Sequence, residues 1–182
     1  MNFKPNWVEI NLDALTHNLS YIKSITNTKI LLPVKADAYG HGSLACSFTA
    51  QKAGVDYLGV AHSFEAIALR KHGISIPILI LGPIHANDFN DLIIYDLTPS
   101  FPQEKEFWAF QEFLANRNIS HKVHIKVNTG MNRYGFPWND IDTLESLYKA
   151  KNCIVEGVFS HLACSENTQN PQNKVQINRF LS

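Results

Sequence analysis

Apolar and polar positions alternate along the chain in two periods, one near 2 and one near 3.6, and the switches between them set out the expected elements. Trp7-Val8-Glu9-Ile10-Asn11-Leu12 alternates as a half-buried strand does. Asp13 is placed to cap a helix running through Leu15, Leu19, Ile22 and Ile25. Strands are then expected over residues 30–34, 57–61, 78–81, 96–98, 122–127 and 155–160. Between them the helical period predicts helices over 44–53 (closed by Gly54), from Ser63 to Gly73, over 86–92, around the aromatic run Phe107 to Leu114, and over 140–149. A last helix is expected over 173–181, and Pro99 is expected to end the strand before it.

Strand–helix alternation of this kind argues for parallel βαβ units. A doubly wound sheet and a (β/α)8 barrel both satisfy it. No Gly-x-Gly-x-x-Gly follows any strand, which removes the main sequence support for the dinucleotide-binding version. The barrel also accounts for the chemistry, since barrel enzymes carry active residues at the carboxy ends of their strands. Lys35, Arg133 and His161 each follow a predicted strand. The expectation is therefore an α/β fold of the (β/α)8 TIM type, incomplete, with about six βα units where closure needs eight.

Composition narrows the setting. The chain has 182 residues, 45% hydrophobic and 18% charged, enough for one domain with a core. Sixteen basic and sixteen acidic side chains cancel, so there is no footprint for nucleic acid. Cys46, Cys153 and Cys164 are widely spaced and read as free thiols in a reducing compartment. The amino terminus has no apolar run typical of a leader. The most apolar stretch, residues 74–84, is broken by Pro77, Gly82 and Pro83 and falls short of the roughly 20 apolar residues a membrane span needs. A cytoplasmic protein is expected, with no membrane, nucleic-acid or metal partner.

Three runs carry chemistry. Val34-Lys35-Ala36-Asp37-Ala38-Tyr39-Gly40-His41-Gly42 puts a lysine at the mouth of a buried strand, with glycines turning the backbone after it. Such a lysine either extends its amine to solvent or, partly desolvated, becomes a nucleophile for carbonyl carbon. Lys126-Val127-Asn128-Thr129-Gly130-Met131-Asn132-Arg133-Tyr134-Gly135-Phe136 carries an arginine on a glycine-bearing loop. Its planar fork suits either a carboxylate or the loop's own carbonyls. Gly157-Val158-Phe159-Ser160-His161-Leu162-Ala163-Cys164 ends a strand on a histidine that is either a core residue or part of a site. Zinc is disfavoured there for want of a second ligand pair. His121 and His124, three apart on one strand, should point to opposite faces. Phe107, Trp108, Phe110 and Phe113 read as core packing.

The first run closely resembles the lysine motif of bacterial alanine racemases, which use pyridoxal 5'-phosphate. The opening segment 7–18 and the Arg133 run, which is similar to that family's Lys-x-Asp-Thr-Gly-Met-x-Arg-x-Gly, extend the resemblance. It implies that Lys35 carries the cofactor covalently and acts as one of two acid/base groups, and that Tyr39 holds the cofactor phosphate. It further implies that Arg133 meets the substrate carboxylate and the cofactor oxygen, that His161 lies against the cofactor ring, and that Lys126, carbamylated in some members, orients Arg133. Asn128 stands where the family usually has aspartate.

The resemblance also implies an isomerase that interconverts L- and D-alanine for the cell wall, as a homodimer whose second base is a tyrosine of the partner subunit. It covers only the amino-terminal half of such an enzyme. Residues 1–12 would be a strand belonging with an absent carboxy-terminal β domain, and residues 13–182 a partial cofactor-binding barrel. The chain then reads as truncated, inactive by itself and prone to aggregate. The other reading is a non-catalytic fragment or cofactor-binding remnant that lacks the second half of the barrel.

Overall fold

The computed structural model describes residues 7–182. The chain divides into two compact units, Met1–Ile78 and Leu79–Ser182.

In the first unit α1 (Leu12–Ile25), β1 (Leu31–Pro33), α2 (Lys35–Gly40), α3 (Ser43–Lys52), β2 (Tyr57–Val60) and α4 (Ser63–Lys71) follow one another, and β3 (Ile78–Ile80) begins at its boundary. β1 and β2 are parallel, Leu31 opposite Tyr57 and Leu32 opposite Leu58. Leu58, Val60, Ala50 and Ala66 are fully buried and form the centre of this unit's core. The two long helices that follow the strands end as expected. Gly54 and Gly73 adopt positive φ just past α3 and α4, where a side chain would be strained.

The start of the chain differs from expectation at the helix cap. Residues 7–11 pair with no strand among the described residues, and Trp7 and Val8 are 72% and 81% exposed. Alternation only offers a face, and the ladder bonds of a strand need a partner strand, which no described residue supplies here. The helix cap is Asn11, not Asp13: its Oδ1 accepts the Ala14 N–H at 2.9 Å, which starts α1 at Leu12. Asp13 falls instead in the first turn, where a negative charge suits the helix dipole.

The second unit carries a 3₁₀ turn (Ala86–Asp88), α5 (Phe89–Ile94), β4 (Thr98–Phe101), α6 (Glu104–Ala115), β5 (His121–Asn128), β6 (Phe136–Pro137), α7 (Ile141–Tyr148), β7 (Cys153–Phe159) and α8 (Pro171–Leu181). Its strands are all parallel: β3 with β4, β4 with β5, and β5 with both β6 and β7. The fourth strand lies later than the sequence suggests and runs through Pro99. Burial overrides the local signal there. Phe101 is fully buried, its ring 5.7 Å from Phe107 and 5.6 Å from Phe110 of α6, and that packing holds the strand in place despite the missing N–H. Phe107 and Phe110 are core residues as expected, whereas Trp108 is 37% exposed. β6, two residues long, has no hydrophobic period and was not legible in the sequence. No helix among the described residues is long and apolar enough to cross a membrane.

Candidate active site

In the first unit Lys35 sits at the carboxy end of β1, half-buried, with its Nζ 5.8 Å from the centre of the Tyr39 ring. The glycine loop expected here is present, with Gly40 and Gly42 both at φ +85°. The departure from ordinary backbone begins earlier. Ala36, Asp37, Ala38 and Tyr39 all have φ between 50° and 55°, so α2 is one turn of left-handed helix. Each such residue costs roughly 1–2 kcal/mol, because Cβ crowds the following carbonyl. A run of four persists only if its surroundings hold it.

Several hydrogen bonds do so. The Ala38 N–H donates to the Val34 carbonyl at 2.9 Å, and the Gly42 N–H to the Asp37 carbonyl at 2.9 Å. The Ser43 N–H donates to Asp37 Oδ1 at 2.6 Å, and with a second bond from the Ser43 side chain this holds the Asp37 carboxyl below the usual carboxylate range. The Ala36 N–H donates to Glu65 Oε1 of α4 at 2.7 Å. Tyr39 is exposed. A cavity of about 530 Å3 in this unit is lined by α1, β1, the 8–11 segment and, from the lysine run, Val34, Ala38 and His41, while Lys35 itself is not part of its wall.

In the second unit Lys126, Arg133 and Tyr134 come together. Tyr134 donates its hydroxyl to the Leu81 carbonyl at 2.9 Å, which anchors the ring. Lys126, only 5% exposed, puts its Nζ 4.9 Å from the Tyr134 ring and 4.7 Å from the Phe159 ring. The Arg133 guanidinium carbon lies 5.1 Å from the same Tyr134 ring. Arg133 is exposed and, among the described residues, hydrogen-bonds to no carbonyl, so it does not pin its own loop.

Asn128 does that work. Its Oδ1 accepts from the Gly130 and Asn132 N–H groups at 3.1 and 3.0 Å, and its Nδ2 donates to Asn132 Oδ1 at 3.2 Å. An aspartate would serve the two backbone donors equally well but has nothing to donate, so the departure from the family's residue keeps the loop and adds one bond.

His161 follows β7, which is paired with β5, so Arg133 and His161 leave the carboxy ends of adjacent parallel strands. The histidine is exposed, and its carbonyl accepts from Gln176 Nε2 at 2.8 Å. Gln176, 1% exposed, also bonds Thr129 Oγ1 at 3.2 Å and accepts the Ala163 N–H at 2.9 Å, and Arg179 donates to the Thr129 carbonyl at 3.1 Å. Thr129 and Ser160 share a hydrogen bond of 2.7 Å. α8 thus ties the Arg133 loop to the His161 loop.

Glu65, Tyr134, Thr129 and Gln176 were not singled out by sequence reasoning. Glu65 carries a local signal, a carboxylate at the third helical position after a cap. Tyr134 adjoins Arg133. Nothing local marks Thr129 or Gln176, whose partners are far away in sequence. His121 and His124 do face opposite ways: His121 Nε2 lies 2.9 Å from the Leu97 carbonyl and its ring packs on Phe110, whereas His124 faces Glu156 and Phe159.

Parallel strands alternating with helices, with Lys35 after β1 in the first unit and Arg133 and His161 after β5 and β7 in the second, are the elements of an α/β-barrel protein. Residues 10–182 match the family model described as alanine racemase, N-terminal domain, and the chain belongs to that family. It is 37% identical over 183 residues to alanine racemase 1 of Caldanaerobacter subterraneus, covering 98% of this chain and 47% of that protein. With the alanine racemase of Methanococcus maripaludis it shares 35% identity, over 98% of this chain and 49% of that protein. The solved alanine racemase of Clostridium difficile 630 in complex with cycloserine superposes with a TM-score of 0.92 at 34% identity, over 100% of this chain and 51% of that one. The Bacillus anthracis enzyme with bound L-Ala-P gives 0.88 at 30%, over 100% of this chain and 48% of that one. The chain spans about half the length of the curated relatives it matches.

Proposed function

We infer that this chain supplies the lysine-bearing half of an alanine racemase that works with pyridoxal 5'-phosphate. The observation that carries the reading is Lys35: a half-buried amine at a strand's carboxy end, set within the family's motif and followed by a left-handed turn. The donor set suits a phosphorylated pyridine aldehyde, with an amine to bind the aldehyde carbon, a phenol for phosphate, a guanidinium for oxyanions and an imidazole for the ring.

When bound, the cofactor supplies an electron sink for the charge left as a proton departs from Cα. Lys35 holds the cofactor and then holds or returns the Cα proton at Nζ on the D-alanine side. The Tyr39 hydroxyl would donate to the phosphate, and the fork of Arg133 would hold the substrate carboxylate and the cofactor oxygen. The His161 ring would offer its face to the pyridine. Lys126, carbamylated, would present an anion to Arg133 and fix its direction. Residues 1–12 belong, in this reading, with a β domain, and the complete enzyme is a cytoplasmic homodimer that makes D-alanine for the cell wall.

The test is borohydride trapping on the full-length protein incubated with pyridoxal 5'-phosphate, followed by peptide mapping and an assay of D-alanine formed from L-alanine. The label is expected on Lys35, and Lys35→Ala should lose both label and turnover. A trapped label elsewhere in the wild-type protein, or a label retained by Lys35→Ala, would sink the reading.

A further inference from the structure

We propose that Glu65 is the positioning residue for Lys35, the group that holds the left-handed turn so that the amine points into its site. The proposal rests on the reading of Lys35 as the cofactor's attachment point and extends it to a residue outside the motif.

Ala36 is the first residue of the turn and the immediate neighbour of Lys35, with φ +50°. The orientation of its peptide plane therefore sets the direction in which the Lys35 side chain leaves the backbone. That peptide's N–H is held by Glu65 Oε1 at 2.7 Å. The other oxygen of the same carboxylate accepts from the Ala61 and His62 N–H groups at 2.7 and 3.1 Å, at the carboxy end of β2. One side chain thus clamps the exits of two adjacent parallel strands, β1 and β2, to each other.

The bonds from Ala38 to Val34, from His41 to Ala38 and from Gly42 to Asp37 are local to the turn, its far end is tied to α3 by the Ser43 N–H on Asp37 Oδ1, and Val34, ahead of Lys35, donates its N–H to the Gly59 carbonyl of β2 at 2.7 Å. The Val34 bond fixes the strand end that precedes Lys35, and the bond to Glu65 fixes the first left-handed peptide that follows it, so Glu65 ties the turn itself to another element. A carboxylate is also the right group, because three N–H donors converge on it and it has acceptors at both ends. A glutamine has an acceptor at one end only, so its amide N–H₂ would have to face either Ala36 or the Ala61–His62 pair.

The experiment uses the full-length protein and the Glu65→Gln variant, which keeps shape and volume. Amide hydrogen exchange is read by mass spectrometry on peptides spanning 34–42 and 57–61, and the rate of borohydride-trappable labelling of Lys35 by pyridoxal 5'-phosphate is measured in parallel. The single acceptor of the glutamine is expected to stay with the Ala61–His62 pair, which brings two donors against one from Ala36, so exchange should be at least tenfold faster in 34–42 with 57–61 unchanged, and labelling at least tenfold slower, while a maximal label is still reached at long times.

Labelling within twofold of wild type, or exchange that rises equally in both peptides, overturns the proposal and leaves Glu65 a structural residue. If Glu65→Gln does not fold, the same pair of readings is made on Glu65→Asp, one methylene shorter on the span to Ala36, with the same criteria. A wild-type protein that fails to label Lys35 at all would instead overturn the reading of the lysine, so the two failures are told apart.

Discussion

Gly157 of β7 passes so close to the His124 ring of β5 that a Cβ on it would fall 2.6 Å from Cε1. The two residues are register partners next to a bulge, where Glu156 is the extra residue and turns towards Lys122 and His124. The absent side chain at 157 is what lets the imidazole lie flat across the neighbouring strand.

Gly157→Ala should therefore destabilise the protein by about 1–3 kcal/mol, the usual range for overpacking. Thermal unfolding checks the size. The double variant with His124→Ala should recover most of the loss, because the clash is with that ring. Additive losses in the double variant would show that some other contact sets the cost.

The same histidine predicts a pH dependence. Burial pushes the His124 imidazole below its ordinary value of 6.5, and the Glu156 carboxylate offsets this only in part. The unfolded chain thus binds the proton more readily than the folded one. Stability from this group is full above about pH 6.5 and is lost as pH falls through the lower, folded value. The melting temperature of wild type should drop more between pH 7 and pH 5 than that of His124→Gln. Parallel curves for the two proteins would remove His124 from the account.

Gln176 bonds to three separate backbone or side-chain partners while almost fully buried. Replacing it with leucine removes its bonds to Ala163, His161 and Thr129, and a loss of about 1–3 kcal/mol is expected. Chemical denaturation measures it. A shift within about 0.5 kcal/mol, as for an ordinary surface change, would mean that the α8 tie contributes little.

Arg133, exposed and bonded to no carbonyl among the described residues, should matter to turnover rather than to folding. Arg133→Lys keeps the charge but loses the fork. In the full-length enzyme a fall in kcat/KM of at least about tenfold is expected, with stability inside about 0.5 kcal/mol of wild type. Unchanged kinetics with a lowered melting temperature would reverse the assignment.

The sequence by itself determined the alternation of parallel strands and helices, the glycine stops at Gly54 and Gly73, and the motif around Lys35. These are legible because period, caps and turn residues act over a few neighbours. Only the tertiary structure decided that Pro99 lies inside β4 and that α2 winds left-handed through four non-glycine residues. Each of these runs against local preference and depends on a partner distant in the chain, such as Phe107 and Phe110 against Phe101. Glu65 reaches Ala36 across 29 residues, and Gln176 reaches Thr129 across 47. A bond of that span leaves no period in the sequence, because nothing between its ends has to repeat; it exists only once folding has closed the loop that joins them.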